Sequence, residues 1–383
     1  MRAKEIAVVL VLAAAVSPVL SQATAPAPGP PPTPEEVRAA MGIPSRGLEL
    51  RGQRDAVGFA TTAEQMARAF EASAAPPFPD RLGPAPPPGV AGVLCPHDDY
   101  LYAGRVYRAV LPLVTARTVV VIGVFHGYRR FGARDALVFD EYRAWSTPAG
   151  PVPVSALREE LLAGLPPGMA LRSATLHDAE HSVEPLVAWL RHARADLEIV
   201  PIIVPAMGWA RMEEISGRLA AALAASLERR GWQLGRDVAI AISSDAVHYG
   251  ADFRHTPFGA GGVAAYEHAY RRDRDLLSAT LARGTLPDAA RRLYERFVDP
   301  ERPDEYRLTW CGRFSLPFGM LLVDGTARAL GRGAARAVPL AYATSVGWPE
   351  LPLRETGLGT TAPSNLYHFV GYPGAAFVLP GRR

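Results

Sequence analysis

Lysine is all but missing from this chain. Its 383 residues carry 41 basic side chains, yet Lys4 is the only lysine and the rest are arginine. With residues 1–23 removed no lysine remains, which excludes Schiff-base and pyridoxal chemistry and the phosphate-binding lysine of a P-loop. Cysteine is nearly as scarce. Cys95 and Cys311 are the only two, too few for a cysteine-rich zinc site or a disulfide framework. Cys95 lies in the apolar run Val93-Leu94-Cys95-Pro96 and reads as a buried thiol rather than half of a bridge. Basic blocks are absent too: arginines are scattered among acids and the net charge is +3. Losing residues 1–23 would remove two positive charges and one negative, leaving about +2, too little to argue for nucleic acid or an anionic membrane. There is no Gly-x-Ser-x-Gly elbow, and no glycine fingerprint for a dinucleotide follows a first strand.

Long apolar runs are confined to the start. Arg2 and Lys4 precede an apolar stretch of about 15 residues that ends at Ser21-Gln22-Ala23, a pattern that predicts a signal peptide over 1–23 rather than a spanning helix. The expected location is periplasmic or secreted, with no stable membrane insertion after cleavage. Residues 24–44, opening with Ala, Pro, Gly and Thr, are predicted to be a linker. The remaining span, 45–383, is long enough for one large α/β domain.

Across that domain strand and helix alternate. Helical spacing is predicted over 62–72, 106–114, 184–192, 212–227, 266–283 and 316–330. Strands are predicted over 90–95, 118–124, 136–139, 152–154, 198–204, 238–243, 338–345 and 375–379. The segment Thr-Val-Val-Val-Ile-Gly-Val at 118–124 is apolar toward both faces, as buried parallel strands are. The pattern predicts a single α/β domain with a mixed, mostly parallel sheet covered by helices on both faces. In such sheets ligands bind beyond the carboxyl ends of the strands.

Histidines and carboxylates collect at those ends. Pro96-His97-Asp98-Asp99-Tyr100-Leu101-Tyr102-Ala103-Gly104 follows the 90–95 strand, and Val124-Phe125-His126-Gly127 ends the next. With one crossover helix between them, the two strands are expected side by side, presenting both imidazoles to one crevice. His181 opens the 184–192 helix. Glu184, three residues on, either orients His181 or answers the positive helix end. His177 is expected in a loop, and Asp178 and Glu180 read as solvated charges. Ser243-Ser244-Asp245-Ala246-Val247-His248-Tyr249-Gly250 ends the 238–243 strand. Its Asp245 is a metal ligand, an acceptor that orients an imidazole, or a helix cap, and His248 can serve as a general base. Imidazoles and carboxylates so gathered predict one divalent metal. His192, His255, His268 and His368 lack comparable context, and Tyr100, Tyr102 and Tyr249 are candidates to line a pocket.

These motifs resemble the Memo-like proteins (AmmeMemoRadiSam system protein B), which are related to class III extradiol dioxygenases of the LigB type. The resemblance rests on Pro96–Gly104, Gly123-Val124-Phe125-His126, Glu180-His181-Ser182-Val183-Glu184, the Ser243 to His248 run, and Cys311-Gly312-Arg313, in that order. It implies a mononuclear metal, Fe(II) foremost, with copper or zinc as alternatives. It implies His97 and His126 as ligands, His181 and His248 as catalytic acid or base, and Asp99, Tyr100 and Glu184 around the pocket. Some family members place a ligating cysteine directly before the last histidine. Here that residue is Val247, so a carboxylate, Asp245 or alternatively Asp98, is expected as third ligand. The function implied is an oxidoreductase of dioxygenase ancestry acting on a small oxygen-bearing substrate. A metal-dependent hydrolase, or a non-catalytic metal- or peptide-binding protein, is the alternative.

Overall fold

The computed structural model describes residues 45–281 and 284–380. The predicted signal peptide and linker therefore lie outside the described residues. Strands are β1 (Asp80–Arg81), β2 (Gly92–Cys95), β3 (Thr118–Val124), β4 (Leu137–Phe139), β5 (Ala144–Trp145), β6 (Val152–Pro153), β7 (Ala170–Arg172), β8 (Glu198–Val204), β9 (Val238–Ser243), β10 (His248–Gly250), β11 (Arg336–Thr344) and β12 (His368–Val378). Helices are α1 (Ala63–Ala72), α2 (Tyr100–Val110), α3 (Tyr128–Phe131), α4 (Leu157–Ala163), α5 (Ala174–Asp178), α6 (Glu184–Ala193), α7 (Trp209–Arg230), α8 (Val263–Leu281), α9 (Leu286–Phe297) and α10 (Ser315–Ala329).

A ten-stranded sheet runs β1-β11-β12-β2-β9-β3-β8-β4-β7, with β10 paired to β12. Its centre, β2-β9-β3-β8, is parallel. Antiparallel pairs β12–β2 and β8–β4 flank that centre. Every residue of β2, β3 and β9 is buried. Successive side chains of a strand point to opposite faces, so both faces of the central sheet are covered. The helix α10 lies against β3, β8 and β9, with α7 packed upon it, while α2 lies against β2, β11 and β12. The expected α/β domain is thus present, parallel at its centre. Among the described residues no helix is long and apolar enough to cross a membrane.

Three expectations need correction. The strands carrying His97 and His126 are not neighbours: β9 is inserted between β2 and β3 and pairs with both. And α2 begins at Tyr100 rather than near 106, so the histidine loop is only a few residues long. The last strand is also much longer than predicted, since β12 continues through Gly371, Pro373 and Gly374.

Candidate metal centre

Because β2, β9 and β3 run parallel and in register, with Cys95 opposite Ser243 and Ile242 opposite Ile122, their carboxyl ends share one edge. His97, Asp245 and His126 leave the strands there. The loop between α5 and α6 brings in His181. Gly123 lets that loop approach: a Cβ on it would stand 2.5 Å from Val183 Cγ2 and 2.8 Å from Ser182 Oγ. Ser182 Oγ in turn donates to Val124 O at 2.8 Å.

One donor atom each from His97, His126 and His181 lies within 4.8 Å of the others. Their ring centroids are 5.1–5.4 Å apart. Each ring is turned the same way. His97 Nδ1 is 2.6 Å from Ser243 Oγ, whose own proton goes to Ser182 O at 2.6 Å, so the hydroxyl accepts and His97 Nδ1 carries the hydrogen. His126 Nδ1 donates to Glu180 at 3.0 Å, and His181 Nδ1 donates to Asp55 at 2.7 Å. Each ring is thus held at Nδ1 with its Nε2 edge turned to the far side, the arrangement by which an oxygen acceptor fixes a ligand's tautomer and orientation. The donor set therefore fits a divalent metal.

Glu180 is the joint of this arrangement. Its carboxylate also accepts from the backbone N–H of His126 at 2.7 Å and of His181 and Ser182 at 2.8 Å. Burial works to raise its pKa, but His126, His181 and these N–H groups outweigh it and hold the carboxyl well below the usual range. On His181 burial is likewise outweighed, here by Asp55 and Glu180, and the imidazole is raised to about 9. His97, buried and facing two other imidazoles, is pushed well down.

Asp245 stands at the edge of the cluster. Its Oδ1 accepts from His97 N at 2.9 Å and its Oδ2 lies 3.3 Å from His97 Nε2. Cys311 completes a second group with His97 and Asp245, its Sγ 3.6 Å from His97 Nε2. Both cysteines are free and buried. Burial, then the charge of Asp98, pushes Asp245 well above the usual carboxylate range.

His97, His126, His181 and Asp245 line a crevice of about 360 Å³ together with Asp98, Asp99, Tyr102, His248 and Phe253. His248 Nδ1 donates to Thr309 O at 2.9 Å and Ala246 O at 3.1 Å, leaving Nε2 as its acceptor. Asp98 accepts from Tyr372 Oη at 2.7 Å. Asp99 accepts from Thr361 N at 2.6 Å, and burial followed by the Asp98 charge raises it to about 8.

Several sequence expectations are displaced. His181 belongs with His97 and His126 rather than standing apart as a base. Tyr100 and Glu184 do not line the crevice. Tyr100 donates to Pro185 O at 3.0 Å and packs on Phe59, Tyr107 and Trp189. Glu184 binds Arg51 and accepts from Arg54 N at 2.9 Å and Asp55 N at 3.2 Å, so it secures the segment that carries Asp55 instead of touching His181. Tyr249 also turns away, donating to Gly259 O at 2.6 Å. His177 is not in a loop: it is buried on α5, with Nε2 donating to Val138 O at 3.1 Å. Val247 does not face the crevice either, since its side chain packs in an apolar cluster with Tyr249 and Phe369. Sequence reasoning missed Glu180 and Asp55. The first is adjacent to His181 in the motif, while Asp55 carries no local signal at all.

The model of the family described as "Memo-like protein" matches residues 70–347. Archaeal proteins named "MEMO1 family protein" are similar over less of the chain. One from Thermococcus onnurineus is 30% identical over 178 residues, 44% of this chain and 56% of its own length. One from Methanothermobacter thermautotrophicus is 29% identical over 183 residues, 45% and 61% respectively. One from Archaeoglobus fulgidus is 32% identical over 168 residues, 43% and 58%. The chain thus spans between 56% and 61% of these relatives' lengths. With a family match across most of the chain, and the histidines of the family-like motifs converging on one crevice, this protein belongs to the Memo-like family.

Proposed function

We propose that this protein is an exported, metal-dependent oxidoreductase holding one divalent metal, Fe(II) foremost, and acting on a small hydroxyl-bearing substrate. The observation that carries this reading is the common orientation of His97, His126 and His181, each held at Nδ1 by an oxygen, with donor atoms of the three within 4.8 Å of one another. A bound metal would supply coordination positions for substrate and dioxygen if iron or copper, or a Lewis acid for water if zinc. The chain's own groups do the rest. The three imidazoles would hold the metal, and Asp245 would add a carboxylate beside His97. His248, with Nε2 unprotonated and its pKa lowered by burial, takes a proton from a substrate hydroxyl. Phe253, 5.0 Å from the His248 ring, supplies an apolar wall.

The all-imidazole set favours a second reading, a hydrolase, because three histidines are also the ligands of catalytic zinc. Metal analysis of untagged protein purified without oxygen separates the two, using wild type and the His97→Ala/His126→Ala variant. Stoichiometric iron or copper, lost in the variant, supports the oxidoreductase. Stoichiometric zinc, equally lost, moves the assignment to hydrolysis. Absence of metal from both, even after reconstitution, refutes a metal-dependent activity.

A further inference from the structure

One buried charge outside the crevice lacks a carboxylate partner among the described residues. Arg105 on α2 is only 6% exposed. One guanidinium nitrogen, Nη1, donates to Pro349 O at 2.7 Å, but among the described residues Nε has no acceptor. Burial holds the guanidinium below the usual arginine range, and no neighbouring carboxylate offsets that burial. Arginine does not escape such a site by losing its proton, so an unpaired buried guanidinium is costly unless an anion joins it.

The space for that anion is present. Arg105 lines a cavity of about 460 Å³ with Arg81, Arg108, Phe78, Pro79 and Leu340, and no acidic residue borders it. None of its lining residues belongs to the histidine crevice. Arg81 reaches it from β1, paired opposite Ala341 of β11. Arg108 is one helical turn beyond Arg105, and its guanidinium stacks 4.1 Å above the Phe70 ring, which steadies it. Among the described residues neither Arg81 nor Arg108 forms an ion pair with a carboxylate. Three arginines with apolar neighbours around one cavity suit a ligand with an anionic head and an apolar body.

We propose that this cavity is a binding site for a small organic anion, a phosphate or carboxylate joined to an apolar group, with Arg105 as its principal partner. Phosphate and carboxylate share the fork geometry that arginine reads, and the experiment distinguishes them. The full chain is titrated calorimetrically with phenyl phosphate and, separately, with benzoate, in a buffer free of other oxyanions. Saturable binding of either is expected, weakened roughly tenfold in Arg81→Ala/Arg108→Ala and lost in Arg105→Met. Because Arg105→Met removes an uncompensated charge, its ligand-free melting temperature should equal or exceed that of wild type. Should that variant fail to fold, the proposal stands or falls on the Arg81→Ala/Arg108→Ala pair, which alters less buried side chains. Failure of both probes to bind wild type, or binding unchanged in the double variant, overturns the proposal. Metal content of the double variant should equal that of wild type, since the cavity and the crevice share no residue.

Discussion

Replacing Glu180 by Gln tests the metal centre at its joint. The carboxylate is 2% exposed and serves four donors: the Nδ1–H and backbone N–H of His126 and the backbone N–H groups of His181 and Ser182. A glutamine presents one oxygen and one NH2 group in the same space. If the NH2 replaces Oε2 it opposes the His126 N–H; if it replaces Oε1 it opposes those of His181 and Ser182. Either rotamer leaves a buried donor facing a donor and exchanges a charge-assisted bond on the imidazole for a neutral one. Hydrogen bonds to charged groups are worth about 1.5–3 kcal/mol. Removing the partner of a metal-ligating histidine lowers metal affinity by about 10–100-fold, which is about 1.4–2.7 kcal/mol, so the two magnitudes agree. The assay is competition with a chromophoric chelator for Fe(II) and Zn(II) without oxygen, with exposed Glu213→Gln as control and melting curves to verify folding. Affinity within about twofold of wild type in a folded Glu180→Gln protein would refute the reasoning, since His126 would then not depend on Glu180 for its orientation.

Three further outcomes are expected. Burial, opposed only in part by the bond to Val138, lowers His177 from 6.5 to about 3. The unfolded chain therefore binds a proton that the folded one refuses, and stability falls as pH drops from about 6.5 toward 3. In urea unfolding wild type should lose up to about 4 kcal/mol more than His177→Leu across that window, and parallel pH curves would refute it. Gly123→Ala should cost about 1–3 kcal/mol in the same unfolding assay, because its Cβ meets Val183 and Ser182 at distances no packed core accepts. Val247→Cys should leave metal affinity unchanged in the chelator competition, since residue 247 faces the Tyr249 and Phe369 cluster; tighter binding would show that the 245–248 segment can turn toward the crevice.

The sequence exposed the strands most clearly where burial is complete. Expectations at 118–124, 198–204 and 238–243 coincide with β3, β8 and β9, because a β-branched run buried on both faces has no other reading. His97 and His126 were legible as a pair because both follow such runs. Their strands are nevertheless not adjacent, since strand order depends on non-local contacts that local pattern does not encode, and β9 intervenes. Glu180 reads as a solvated charge because the imidazole it orients, His126, lies 54 positions away in the chain. Asp55 was invisible because it meets His181 across 126 positions of chain. The start of β12 was hidden by Gly371, Pro373 and Gly374, which a strand accepts here beside partners supplied by β11.

The insertion of β9 also orders events in time. β2 and β3 share no hydrogen bond with each other, and each finds its neighbour in β9, which leaves the ribosome more than a hundred residues after β3. Until residues 238–243 are in place, the tips bearing His97 and His126 stand on strands with an open seam between them. No nascent half-chain can then assemble the three-imidazole set, and non-local closure of this kind is slow relative to local folding. Any metal would consequently be loaded only after residues 238–243 have been made. A nick between β8 and β9 should abolish loading unless both fragments reassociate across that seam.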